Sequence, residues 1–218
     1  MNMKSLFLSL GTALLTAIGT AQGAVIFTIA NFTGSTSGPN GLPIVDSTGI
    51  PVAAGGAFAS IGYFDSGTVF AGASVSVLLE AFNAVDAAPV GITASRPGLF
   101  NGQDYNDAGN VYPAGFQGKQ GYIVIGNSAN LANSTALAVF SLGSVFSTPA
   151  ADQTASYTIQ LTSAPSSLVY GTLRPMDPGA QPNPLTTTPF TQGVQMVPEP
   201  SVALLGLLGV AGLLRRRR

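Results

Sequence analysis

The apolar residues of this chain are broken into short runs. Segments of four to eight apolar, β-branched or aromatic residues recur between clusters of Gly, Pro, Asn and Ser, and the 218 positions include 27 Gly and 15 Pro. An ordinary helix takes roughly 10–14 residues free of such breakers, so short interrupted runs favour strands joined by turns. The clearest runs are Val25 to Ala30, Ala57 to Phe64, Tyr122 to Ile125, Ala136 to Leu142, Ser156 to Leu161 and Ser167 to Leu173. In the fifth, Tyr157, Ile159 and Leu161 alternate with Ser156, Thr158 and Gln160, the period of a half-buried strand. One stretch departs from the rhythm. Val75, Leu78, Leu79, Phe82 and Val85 fall at helical spacing, with Ser74 placed to cap the start and Pro89 beyond the end. These patterns predict a mainly β fold, an antiparallel β-sandwich or barrel-like domain, with one amphipathic helix over Val75 to Asp86.

Between these elements, Gly34 to Pro43 and Arg96 to Gly121 read as loops. The second is long enough to be a functional surface. From Arg174 to Pro189 the chain carries five prolines and two charges and reads as a polyproline-like spacer.

Composition removes most chemistry. The chain has no Cys, His or Trp, which excludes disulfides, Cys or His metal sites, and nucleophilic catalysis through a histidine base. Only eight basic and nine acidic side chains are present, and four of the bases are the terminal Arg215, Arg216, Arg217 and Arg218. Residues 24–197 hold three bases (Arg96, Lys119, Arg174) against eight acids, a net charge of minus five. Such a body has no basic surface for phosphates, so neither nucleic acid nor anionic lipid is an expected partner of it. No cofactor is implied.

The two ends read as addresses. Lys4 precedes an apolar and small-residue run from Leu6 to Ile18, followed by Ala21-Gln22-Gly23. A run of 13 residues is short of the roughly 20 needed to span a bilayer and matches a signal-peptide helix read by the secretory translocon. Signal peptidase is expected to cut between Gly23 and Ala24, given the small residues before the junction. At the other end Val197-Pro198-Glu199-Pro200-Ser201 leads into Val202 to Leu214 without a charge, then into the four arginines. As a helix this apolar stretch rises about 20 Å, against a hydrocarbon core of roughly 30 Å. It reads as a short transmembrane helix held with its arginines in the cytoplasm. Pro198 and Pro200 keep their neighbours out of the helix, so Glu199 is expected to be exposed and extended beside the membrane, as a processing site should be.

Taken together, Pro198-Glu199-Pro200, Val202 to Leu214 and Arg215 to Arg218 resemble the PEP-CTERM sorting signal, over about 21 residues. The resemblance implies recognition by exosortase, a membrane transpeptidase-like protease. It also implies a Gram-negative host, transient residence in the inner membrane, and delivery to the cell surface or an exopolysaccharide matrix. Segments around Gly49 to Gly55 and Gly118 to Asn127 are similar to parts of uncharacterised proteins of that family, which implies no activity. The division that follows is 1–23 signal peptide, 24–173 β-rich domain, 174–197 spacer and 198–218 sorting signal.

Within the domain, oxygen ligands crowd only at Asp104, Asn106 and Asp107. Counted as a calcium loop, Ala108 stands at position five and Gly115 at position twelve, where ligands belong, so ordinary turn chemistry is the better reading. Asp65, Glu80, Asp86, Asp104, Asp107 and Asp152 offer carboxylate pairs for glycoside hydrolysis, and Tyr63, Tyr105, Tyr112 and Tyr122 offer flat faces for sugars. Scattered acids on an exported surface serve solubility without any site. The leading expectation is a non-enzymatic surface or matrix protein with a structural or adhesive role. A carbohydrate-binding module or carbohydrate-active enzyme is the rival, and a permanently anchored single-pass protein the third reading.

Overall fold

A computed structural model of the chain describes residues 25–33, 40–86, 89–92, 94–107, 115–146, 155–160, 167–180 and 190–199. The signal segment with its Gly23/Ala24 junction, Pro200, the apolar run Val202 to Leu214 and Arg215 to Arg218 lie outside the described residues, as do Tyr112 and Asp152. Among the described residues no helix is long and apolar enough to cross a membrane.

The strands in chain order are β1 (Val25–Ala30), β2 (Phe32–Thr33), β3 (Asn40–Gly41), β4 (Ile44–Val45), β5 (Phe58–Phe64), β6 (Phe82–Ala84), β7 (Val90–Gly91), β8 (Asn101–Asp107), β9 (Gln120–Gly126), β10 (Ala136–Val145), β11 (Ala155–Gln160), β12 (Leu168–Tyr170), β13 (Thr172–Pro175), β14 (Gln192–Gln195) and β15 (Val197–Pro198). Helix α1 (Val75–Ala81) lies between β5 and β6. The protein is mainly β with several sheets. The largest runs β12-β10-β9-β5-β6, with β15 added on β10 and β7 on β5. A second is β11-β1-β8, a third β13-β14-β4, and β2 pairs with β3. Most pairings are antiparallel, but β1–β11 and β14–β4 are parallel.

Strand periodicity divides the large sheet into two apolar faces. Ala59 and Ile61 of β5, Ile123 and Ile125 of β9, and Ala138 and Phe140 of β10 pack in one cluster with Phe27 and Ile29 of β1, Ile44 of β4 and Val194 of β14. The intervening Val124, Leu137 and Val139 pack in another with Phe64 and with Val75 and Leu78 of α1. Removing each of the Val, Leu, Ile and Phe side chains among them from water stabilises the fold by about 1.5–3 kcal/mol. A buried amide ties the segments beside this core. Asn31 donates to the carbonyls of Leu42 (3.1 Å) and Gly98 (2.8 Å) and accepts from the Phe100 N–H (2.7 Å).

Several expectations change. The helix begins where Ser74 predicts, with its hydroxyl accepting from Val77, but it stops at Ala81. Phe82 turns extended because β5 offers backbone partners, Phe64 opposite Phe82 and Gly62 opposite Ala84, and the Phe82 ring packs 5.1 Å from that of Phe64. The long loop expected from Arg96 to Gly121 contains β8, which pairs along the whole of β1. Finally, the described parts of the stretch expected as a spacer, 174–180 and 190–197, join the body, while 181–189 lie outside the described residues. Thr172–Pro175 pairs with Gln192–Gln195, which pairs in turn with Ile44–Val45, while Met176, Phe190 and Val194 are buried. The run Ser167 to Leu173 forms two strands, broken at Gly171, whose φ of 127° only glycine adopts readily.

Candidate functional site

The motif at 198–200 is not a free peptide at its first two residues: Pro198 is exposed and Glu199 partly so, but both are paired to the body. After β14 the chain crosses to the large sheet, where Val197 stands opposite Leu137 and Pro198 opposite Ala136. Pro198 suits the end of an edge strand, since it has no N–H to contribute to a ladder. Glu199 then donates its N–H to the Thr135 carbonyl at 2.7 Å. Its carboxylate Oε1 accepts from the Ser76 hydroxyl (2.8 Å) and the Ser76 N–H (3.3 Å).

The chemistry of a helix start accounts for the contact. The first turn of α1 has unpaired N–H groups and no acidic residue of its own. Ser74 satisfies Val77 and Glu199 satisfies Ser76, so a carboxylate from 123 positions away sits where the helix favours negative charge. The acceptor strand is fixed independently of the tail. Asn127 Oδ1 accepts from Thr135 N–H (2.8 Å) and Ala136 N–H (3.2 Å), and its Nδ2 donates to Thr135 Oγ1 (3.0 Å). Tyr170 closes the neighbourhood by donating to the Ala73 carbonyl at 3.3 Å. Burial, and then the Glu199 carboxylate, push its phenol above the ordinary value.

A second feature is a cleft of about 260 Å³ lined by Phe64, Phe70, Tyr122, Asp65, Lys119 and Gln120, with the Gly67 and Gly118 turns at its rim. Its aromatic wall is built edge to face: Phe64 meets Phe70 at 5.0 Å and Tyr122 at 5.1 Å. Asp65 accepts from Asn83 Nδ2 at 3.0 Å, and the Lys119 ammonium lies 5.5 Å above the Tyr63 ring. Asp65 and Tyr122 were legible as candidates. Tyr63 is half-buried against Phe116 and does not line the cleft, and Glu80 and Asp86 also lie elsewhere. Phe64, Phe70, Lys119 and Gln120 carry no sequence signal that sets them apart from core and loop residues.

The expected ligand cluster resolves differently. Asp104, Asn106 and Asp107 stand on a strand, not in a loop, with Asn106 opposite Ile26 and Asp107 opposite Val25. Asp104 is 3 % exposed. It occupies a gap in the large sheet: β7 pairs with Phe58 and Ala59, β6 with Gly62 to Phe64, and the Ile61 N–H between them donates to Asp104 Oδ2 at 2.7 Å. Ser60 Oγ lies 3.3 Å from the same oxygen, while Oδ1 has no partner among the described residues. Desolvation, reinforced by the charge of Asp86, pushes this carboxyl up to about 7 despite those two donors. Among the described residues no three carboxylates gather as a metal site would require.

Comparison with family models, with curated proteins and with solved structures finds no match for this chain.

Proposed function

We propose that this protein is exported, sorted through a PEP-CTERM signal that exosortase processes, and delivered to the cell surface or an exopolysaccharide matrix. There its sandwich-like β body serves a structural or adhesive role and not a catalytic one. The observation that carries this reading is the order of three blocks in the sequence: Pro198-Glu199-Pro200, then after Ser201 the 13 uncharged residues Val202 to Leu214, then four arginines. The apolar run after Lys4 supports export by the same chain. Locating the protein in host cells with and without the exosortase tests the reading. Accumulation of a membrane-held precursor in the deficient cells is expected; equal release from both would refute it, and retention in both would favour a permanent anchor.

The cleft beside Tyr122 favours a second reading, a carbohydrate-binding module. Aromatic faces next to hydrogen-bonding side chains suit a hydroxylated ring, and the volume suits about one sugar unit. Among the described residues Asp65 is the one carboxylate lining it, whereas glycoside hydrolysis commonly uses two, which favours binding as the second reading. Calorimetric titration with host exopolysaccharide fragments is the test. Lys119→Ala with Gln120→Ala should weaken binding about tenfold, the loss of one to two polar contacts. Equal binding by the double variant would remove the cleft from consideration.

A further inference from the structure

Two residues, Pro200 and Ser201, separate Glu199 from the apolar run that begins at Val202. Fully extended, the chain from Glu199 to Val202 reaches no more than about 11 Å. The folded body therefore extends almost to the apolar segment. Phe190 and Val194 are buried in it, β14 is paired on both sides, and β15 is paired to β10. The long reach that a free spacer would have given to a membrane protease does not exist in this state.

Proteins that take a peptide as an extended strand bind it through its backbone donors and acceptors. Those groups are already engaged here. The Glu199 N–H is given to Thr135, Val197–Pro198 is paired with Leu137 and Ala136, and the Glu199 carboxylate is held by Ser76. The same groups cannot serve the body and a protease together.

We infer that Thr135, the adjoining edge of β10 and Ser76 form a docking site for the chain's own processing motif, and that undocking of Val197–Glu199 is the step that admits the protease. This rests on the proposal that the C-terminus is a processed sorting signal. The docking surface has support besides the tail, because Asn127 Oδ1 accepts from both the Thr135 and the Ala136 N–H. The clasp itself is exposed and made by one carboxylate at a helix start, so it opens without unfolding the body. Ser76 is accordingly a positioning residue, and folding of the domain controls when its own tail is cut.

Two measurements on the full-length precursor test the inference: hydrogen exchange at the Glu199 amide, and the rate of conversion to the mature form in cells with and without the membrane protease. Ser76→Ala keeps the helix and loses the hydroxyl contact. It should speed both exchange and conversion by about fivefold, the scale of one helix-start contact. Ser76→Thr, which keeps a hydroxyl, should stay near the original rate. Faster exchange with unchanged conversion would overturn the gate while leaving the sorting proposal intact. Exchange at Glu199 as fast as in an unstructured peptide, in the unaltered chain, would overturn the docking itself. Conversion that proceeds equally in protease-free cells would instead refute the sorting proposal, whatever the exchange data show.

Discussion

Asp104 makes the stability of this protein fall as pH rises, against the usual behaviour of a carboxylate. An unperturbed aspartate titrates near 3.9, so below about pH 4 Asp104 is protonated in both the folded and the unfolded chain and contributes no pH dependence. Its folded value is raised to about 7. Between about 4 and 7 the unfolded chain gives up this proton while the folded chain keeps it, so folding binds a proton and stability declines through that window. Above it the decline is complete. A displacement of about three units at 1.36 kcal/mol each gives about 4 kcal/mol, an upper figure because the native site relaxes around the charge. Against a typical domain stability of about 5–15 kcal/mol this is a large fraction. Asp104→Asn keeps an acceptor for the Ile61 N–H and cannot ionise. Urea unfolding at steps from about pH 4 to 8 should show the unaltered protein losing several kcal/mol relative to Asp104→Asn, whose stability should be nearly flat. Exposed Asp46, whose carboxyl is lowered chiefly by the Thr48 hydroxyl, acts with the opposite sign. Its contribution is present above its unfolded value and lost only as pH falls below about 4, and the subtraction cancels it. Parallel pH profiles for the two proteins would refute the buried-carboxyl account.

Two further outcomes follow from packing. Asn31→Ala removes both side-chain donations and the acceptor for Phe100 from a fully buried position. It should cost about 3 kcal/mol or more in denaturant unfolding, and a loss below about 1 kcal/mol would show that water reaches the knot. Gly62→Ala drives a methyl into the Asn83 carbonyl and the Phe82 ring. A loss of about 1–3 kcal/mol is expected, measured by thermal unfolding, and an unchanged midpoint would mean that β5 and β6 are less tightly paired than described.

Much of the β body was readable from local pattern, because its strands are apolar and strand length is short enough for Gly and Ser to punctuate it. Ser74 likewise announced the start of α1 through an ordinary capping rule. The end of the helix was not readable. Phe82 and Val85 fit a helical stripe equally well, and the choice was made by backbone partners on β5, distant in sequence. Strand β8, Asn101-Gly-Gln-Asp-Tyr-Asn-Asp107, is built almost wholly of turn-forming and polar residues, and it is a strand because β1 supplies its ladder. The prolines before 190 suggested a spacer, yet Met176, Phe190 and Val194, three of the apolar residues of 174–197, are buried. At the candidate sites the residue types were visible and their neighbours were not. Glu199 was singled out by its prolines, but nothing local pairs it with Ser76.

The central claim is that both ends of this chain are temporary, and intact mass of the mature surface form tests it most directly. The account predicts a mass lacking residues 1–23 together with the apolar run and Arg215 to Arg218. A mature protein that still carries those four arginines would contradict it.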